Sequence, residues 1–205
     1  QRQMCIRDSL DSASLRSSVV SHAKMLGYEV ASPRAPVATI NVSLSTGNAT
    51  ATMPAGTAFN SKVDGVDYQF VTITDVTKQN TGNSVPFDST EVYEGTYATT
   101  KYVVDSNDVD QRFMLQDVRA DTSTLTVRVQ NSVSDTTTTT YTKATDITQL
   151  SSTSTVYYLQ ETESGRFQVY FGDGATSAAL SDGNIVQLNY VITNKTAANG
   201  ASSFS

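Results

Sequence analysis

The sequence predicts a mainly β chain of the α+β class: an N-terminal helix followed by an antiparallel β-sheet or β-sandwich-like domain. It reads as a fragment of a longer protein. Two observations carry the prediction. Apolar residues recur every three to four positions in the segment 10–30, and from Val37 onward they alternate with polar ones. Turn residues then cut the chain into eight or so short β-prone runs. No strand–helix–strand rhythm is visible, which points to mostly antiparallel pairing.

Four parts follow in order. Residues 1–9 have no periodicity and read as a non-native, adapter-derived stretch. Residues 10–30 are the expected helix, with Leu15, Val19, Ala23 and Leu26 along one side. Leu15, Val19 and Leu26 are its candidate packing face. Ser9 or Asp11 can cap its start, Lys24 suits the negative end of its dipole, and Gly27 can close it. Residues 31–36 are a linker in which Pro33 and Pro36 forbid a helix. Residues 37–205 are the β-rich region.

Within that region Ile40, Val42 and Leu44 alternate with Asn41, Ser43 and Ser45. Thr46-Gly47-Asn48 then turns the chain, and Ala49, Ala51 and Met53 are expected to return as the second arm of a hairpin. Pro54-Ala55-Gly56 breaks the run and Asp64-Gly65 marks another turn. Residues 68–74 are β-branched and aromatic, and 78–84 read as a polar loop. Further strands are expected at 96–104, 112–118 and 124–130. In the last, Leu125, Val127 and Val129 face one way. Runs at 156–160 and 167–171 flank a hairpin turn containing Gly165, and 184–193 closes the set.

Composition bounds the function. At 205 residues the chain can bury a core without staples. Hydrophobic residues are 38% and charged residues 17%, while Ser and Thr supply about a quarter. The net charge of −6 argues against a nucleic-acid partner, which needs clustered basic charge, and against docking on anionic membranes. No apolar run approaches the ~18–20 residues of a membrane span, so no membrane insertion is expected. Cys5 and His22 are the only residues of their types. They exclude a disulfide framework, a cysteine zinc cluster and a multi-histidine metal site. Phosphate-binding Gly-rich loops and a Gly-x-Ser-x-Gly elbow are missing. The expectation is a chain that is no enzyme, with no catalytic, cofactor-binding or metal-binding residues.

Several features bear on chemistry. In Phe171-Gly172-Asp173-Gly174, Asp173 could join Asp182 as a calcium ligand. A calcium loop needs oxygen ligands at alternate positions and a distal Glu. Ala175, Thr176, Ser177, Ala178 and Ala179 do not supply them, so a tight turn is the stronger reading. Asp105, Asp108 and Asp110 read as a solvated loop, and spacing alone cannot test the Glu161/Glu163 pair. The five consecutive threonines within 135–141 suit an edge strand, a loop or a glycan-bearing stretch.

The residues from 156 to 204 carry a resemblance. They run Val156-Tyr157-Tyr158-Leu159-Gln160-Glu161, Gly165-Arg166-Phe167 and Phe171-Gly172-Asp173-Gly174. Leu180, Asp182-Gly183-Asn184, Tyr190 and Asn199-Gly200-Ala201-Ser202 follow. This succession resembles the baseplate J-like family, and more closely the baseplate wedge proteins of T-even-type contractile-tail phages. A weaker likeness extends upstream through Arg16–Val20, Ala23–Tyr28, Pro54–Thr57, Phe59, Tyr68–Phe70 and Asp121–Val127. Ser177-Ala178 and Asn194-Lys195 depart from the pattern, where glycines and a basic residue are expected. Phe171, Gly172, Asp173, Gly174, Gly183, Tyr190, Asn199 and Gly200 are its structural motif residues.

The resemblance implies a non-enzymatic structural subunit of a contractile-tail baseplate. Such a subunit assembles with copies of itself, as a homo-oligomer such as a dimer, and with other baseplate wedge proteins to form the ring around the tail hub. It would reside in the virion tail baseplate, and in the host cytoplasm during assembly. The alternative is a carbohydrate- or receptor-binding β-sandwich module of a tail fibre or adhesin, displaying Tyr93, Tyr97 or Tyr102 as an aromatic platform. A glycoside hydrolase fragment ranks last.

Overall fold

The computed structural model describes residue 19 and residues 31–108, 111–145 and 150–205. Six strands come first: β1 (Val37–Ser45), β2 (Thr50–Met53), β3 (Ala58–Val63), β4 (Val66–Val71), β5 (Val76–Gln79) and β6 (Ser84–Glu94). Seven more follow: β7 (Thr96–Val103), β8 (Phe113–Met114), β9 (Ala120–Gln130), β10 (Thr138–Lys143), β11 (Val156–Glu161), β12 (Phe167–Phe171) and β13 (Ile185–Ile192). One 3-10 turn spans Lys195–Ala198.

The α+β expectation is therefore corrected. Among the described residues the regular structure is strand throughout, apart from that single turn and the one helical position, Val19. The helix expected over 10–30 lies outside the described residues, Val19 excepted. The sandwich expectation fails as well. The strands form a four-stranded sheet (β1-β6-β4-β3) that makes a half-barrel, and a seven-stranded sheet (β7-β13-β9-β10-β11-β12-β8) that makes a near-barrel. A sheet that curls can face its alternate apolar residues onto one another, so it needs no second layer.

Inside the near-barrel, Val186, Leu188 and Tyr190 of β13 meet Val127 and Val129 of β9 and Val169 of β12. All six are buried. The expected alternation in β9 holds: Val127 is fully buried, Leu125 packs against the core, and Thr126 and Arg128 are partly exposed. Phe171 joins edge-on to Phe113 and Tyr141, at centroid distances of 5.5 and 5.3 Å.

The first and last strands of this sheet, β7 and β8, are joined by side chains standing in for a ladder. The Tyr102 hydroxyl donates to the Met114 carbonyl at 2.7 Å and accepts from the Met114 amide and the Gln116 Nε2. Nearby, Gln111 Nε2 donates to the Val103 carbonyl, and Gln111 Oε1 accepts from the Asp105 amide. Backbone groups at the rim of the barrel thus find partners although no strand pairs there.

Pairing in the half-barrel departs from the expected hairpin. Thr46-Gly47-Asn48 does turn the chain, but β2 pairs with β5, while β1 pairs with β6. The reason is length: β6 offers eleven residues to β1, whereas β2 has four. The β2–β5 ribbon instead lies over the half-barrel, where Met53 meets Val85 and Phe87. The threonine run straddles loop and strand: Thr136 and Thr137 precede β10, while Thr138, Thr139 and Thr140 lie in it and pair antiparallel with β9, and β10 pairs parallel with β11 farther on, at Thr142 and Lys143.

Candidate functional site

The motif residues gather mainly at one rim of the near-barrel. β12 ends at Phe171, and Gly172-Asp173-Gly174 turns the chain away from it. Gly172 sits against Ser177, so closely that a Cβ would overlap both the Ser177 hydroxyl and its backbone. Only glycine allows that approach. The Gly174 amide donates to the Ser177 carbonyl at 2.9 Å, and the Asp173 carboxylate accepts from the Ala175 amide at 3.0 Å. Backbone amides, that of Ala175 foremost, hold the Asp173 carboxyl below its usual range. Asp173 is thus a turn-capping residue. Among the described residues no group of three or more His, Cys, Asp or Glu could hold a metal ion.

The Gly183 turn lies beside this rim. The Gly183 amide donates to the Val104 carbonyl, and Asp182 accepts from the Ser106 amide at 2.9 Å. The Gly183 turn therefore meets the 104–108 loop, and Gly172 faces that loop across a groove. The groove is shallow and open, about 250 Å³, and is lined by Val104, Asp105, Gln111, Phe113, Phe171 and Leu180, among others. Asp108 also lines it, so part of the acidic cluster is brought to the motif, while Asp110 lies outside the described residues. Tyr190 points inward from β13. Its hydroxyl accepts from the Gln116 amide at 3.0 Å and lies 3.4 Å from Thr100 Oγ1. Asn199 and Gly200 stand apart, beyond the other end of β13 and just after the 3-10 turn. Of the helix face, Leu15 and Leu26 lie outside the described residues, and Val19 is 38% exposed.

The three tyrosines that would form an aromatic platform are not presented as one. Tyr102 is tied to β8, the Tyr93 hydroxyl donates to Glu91, and Tyr97 packs at the junction of the two sheets. Burial pushes the Tyr93 and Tyr97 phenols up. The exposed Tyr170 stacks on the partly buried Tyr158 across β11 and β12 at 5.2 Å.

That junction is the feature the motif reading missed. β6 passes into β7 through Gly95, which presses against Ile192 so that no side chain fits. The neighbouring Glu94 is fully buried. Its carboxylate accepts from the Thr193 hydroxyl, the Asn194 amide and Asn194 Nδ2, all at 2.8–2.9 Å. Asn194 Oδ1 accepts in turn from Arg119, whose guanidinium holds the Asp117 carboxyl below its usual range. A second buried carboxylate, Asp121, accepts from the Ala35 amide and from Ser123, which pins the 31–36 segment to β9. Past the 3-10 turn the chain lies back over the half-barrel. Ala198 joins Ile40, Phe70 and Val92, Phe204 stands edge-on to Phe70 at 5.1 Å, and Ser205 and Asn60 exchange both backbone hydrogen bonds. No sequence signal marked Glu94, because its hydrogen-bond donors lie about a hundred residues away.

Rims held by turn-capping side chains, a tyrosine-laced seam and a carboxylate-clamped junction make a β-domain whose polar side chains fasten its strands together. A family model described as bacteriophage baseplate wedge protein gp6, third domain, matches residues 99–201, half of the chain. The chain belongs to that family, and its role is that of a structural component of the phage tail baseplate. The match runs from within β7 to just past the 3-10 turn, so it falls on the near-barrel. No curated protein matches the chain closely enough to add a relative.

Proposed function

We propose that this chain is a non-enzymatic subunit of a baseplate wedge in a contractile tail, and that it assembles with other wedge proteins and with copies of itself around the tail hub. The observation that carries the reading is the family match on the near-barrel. The site geometry supports it. The acidic side chains at the rim cap turns, and Glu94 and Asp121 are spent on holding elements together. Binding in such a domain comes from shape, strand edges and interface area, with aromatic anchors such as the stacked Tyr158 and Tyr170.

The test is to mix the purified chain with the other wedge proteins of its own phage and follow the mixture by sedimentation. A stoichiometric complex, with no turnover on glycan or ester substrates, is the expected result. A chain that sediments alone in every pairwise mixture refutes the reading.

A further inference from the structure

We infer that the outer edge of β1 is a self-pairing edge, through which two copies of this chain join their four-stranded sheets into one of eight. A count of open edges leads there. In the seven-stranded sheet, β7 and β8 are laced to each other by Tyr102 and Gln111. In the four-stranded sheet, the β3 edge is taken at Asn60 by the backbone of Ser205. The strands of the β2–β5 ribbon have four residues each. Among the described residues, β1 is the longest edge without a partner: nine residues, hydrogen-bonded on one side only, to β6.

Long edges are usually blunted by charge or proline. β1 reads Val-Ala-Thr-Ile-Asn-Val-Ser-Leu-Ser and has neither. Val37 and Leu44 are about half exposed, at 52% and 48%. The strand also matches itself. Antiparallel pairing about a two-fold axis at Asn41 sets Ala38 against the partner's Leu44 and Ile40 against the partner's Val42. Thr39 then faces the partner's Ser43. Apolar residues meet apolar ones on one face, so the apolar stripe under each sheet continues across the joint, while on the other face small polar residues meet at the centre and Val37 meets the partner's Ser45 at either end. The uncharged strand suits a second copy, since no like charges are opposed. Because the β3 edge is occupied, the assembly closes at two copies instead of growing into a fibre.

This inference deepens the assembly reading and rests on it only for self-association. The test uses the full chain in sedimentation over a wide concentration range, with three samples. The native chain is expected to be dimeric. Thr39→Lys with Ser43→Lys sets ammonium groups against each other at both symmetry-related pairs and should weaken the dimer about tenfold or more, with an unchanged far-ultraviolet spectrum. Asn41→Cys in a Cys5→Ser background should form an intermolecular disulfide, because residues facing each other at a two-fold lie within disulfide reach. Its readout does not depend on the lysine variant folding. A dimer unaffected by the lysines, or an Asn41→Cys chain that stays uncrosslinked where the native chain is dimeric, overturns the inference. A native chain that is monomeric throughout also overturns it. If that monomer is still captured by other wedge proteins, the structural role stands and only the β1 joint falls.

Discussion

Replacing Glu94 tests whether the junction is a rigid clamp. The carboxylate is fully buried and accepts three hydrogen bonds from Thr193 and Asn194. Bonds to a charged group contribute about 1.5–3 kcal/mol each. A simple sum overstates the loss, because Asn194 is exposed and its donors can turn to water. The Thr193 hydroxyl is fully buried and cannot. The cavity left by the side chain adds to that orphaned donor. Glu94→Ala should therefore cost about 3 kcal/mol, within the range for breaking a buried polar network. At about 2–4 °C per kcal/mol for a chain of this size, the melting midpoint should drop by roughly 6–12 °C. Glu94→Gln keeps the volume and one acceptor but turns an amide donor toward other donors, so about 1–2 kcal/mol is expected. Urea unfolding followed by far-ultraviolet circular dichroism and tyrosine fluorescence reads both, since the chain has no Trp. Midpoints equal to the native one in both variants would falsify the clamp.

Three further outcomes follow from the geometry. Tyr102→Phe removes the hydroxyl that joins β7 to β8 and should cost about 1–3 kcal/mol, with faster exchange of the Met114 amide than of amides elsewhere in the barrel. Gly172→Ala forces a methyl into Ser177 and should cost about 1–3 kcal/mol; a neutral result would show that the rim turn can shift freely. Asp173 is held below its usual range, so its contribution is present above the ordinary carboxylate value and is lost as pH falls through its lower folded value. Asp173→Asn should then flatten the acid side of a urea-midpoint-against-pH curve, and an acid limb parallel to the native one would count against that role.

Local chemistry made the strands legible, and long-range pairing did not. Val127 and Val129 announced their face by alternation, and the Gly165 hairpin and the Gly172 turn follow from turn residues. β6, joint longest of the strands, was missed. Pro86 and the acidic Asp88 and Glu91 interrupt its apolar pattern, and Ser89 takes a positive φ of 54° where the strand bulges against Asn41. With β6 unseen, β1 had only β2 to pair with on paper. The threonine run was ambiguous because its side chains fit a strand or a loop equally well. Its place in the sheet comes from Tyr141, the one buried residue of β10. The motif residues were legible as turns. The Glu94 clamp was not, because its donors are a hundred residues away.

Glu94 and Thr193 stand side by side although the whole near-barrel lies between them in sequence, and the chain beyond Thr193 returns to the half-barrel. The near-barrel is thus inserted into the half-barrel at a single point. Tension drawn along the half-barrel can cross from Glu94 to Thr193 without passing through the inserted strands, which hang beside the load path like a cassette on a frame. A cassette so placed can be enlarged, trimmed or exchanged over evolution while the mechanical continuity of the frame is preserved.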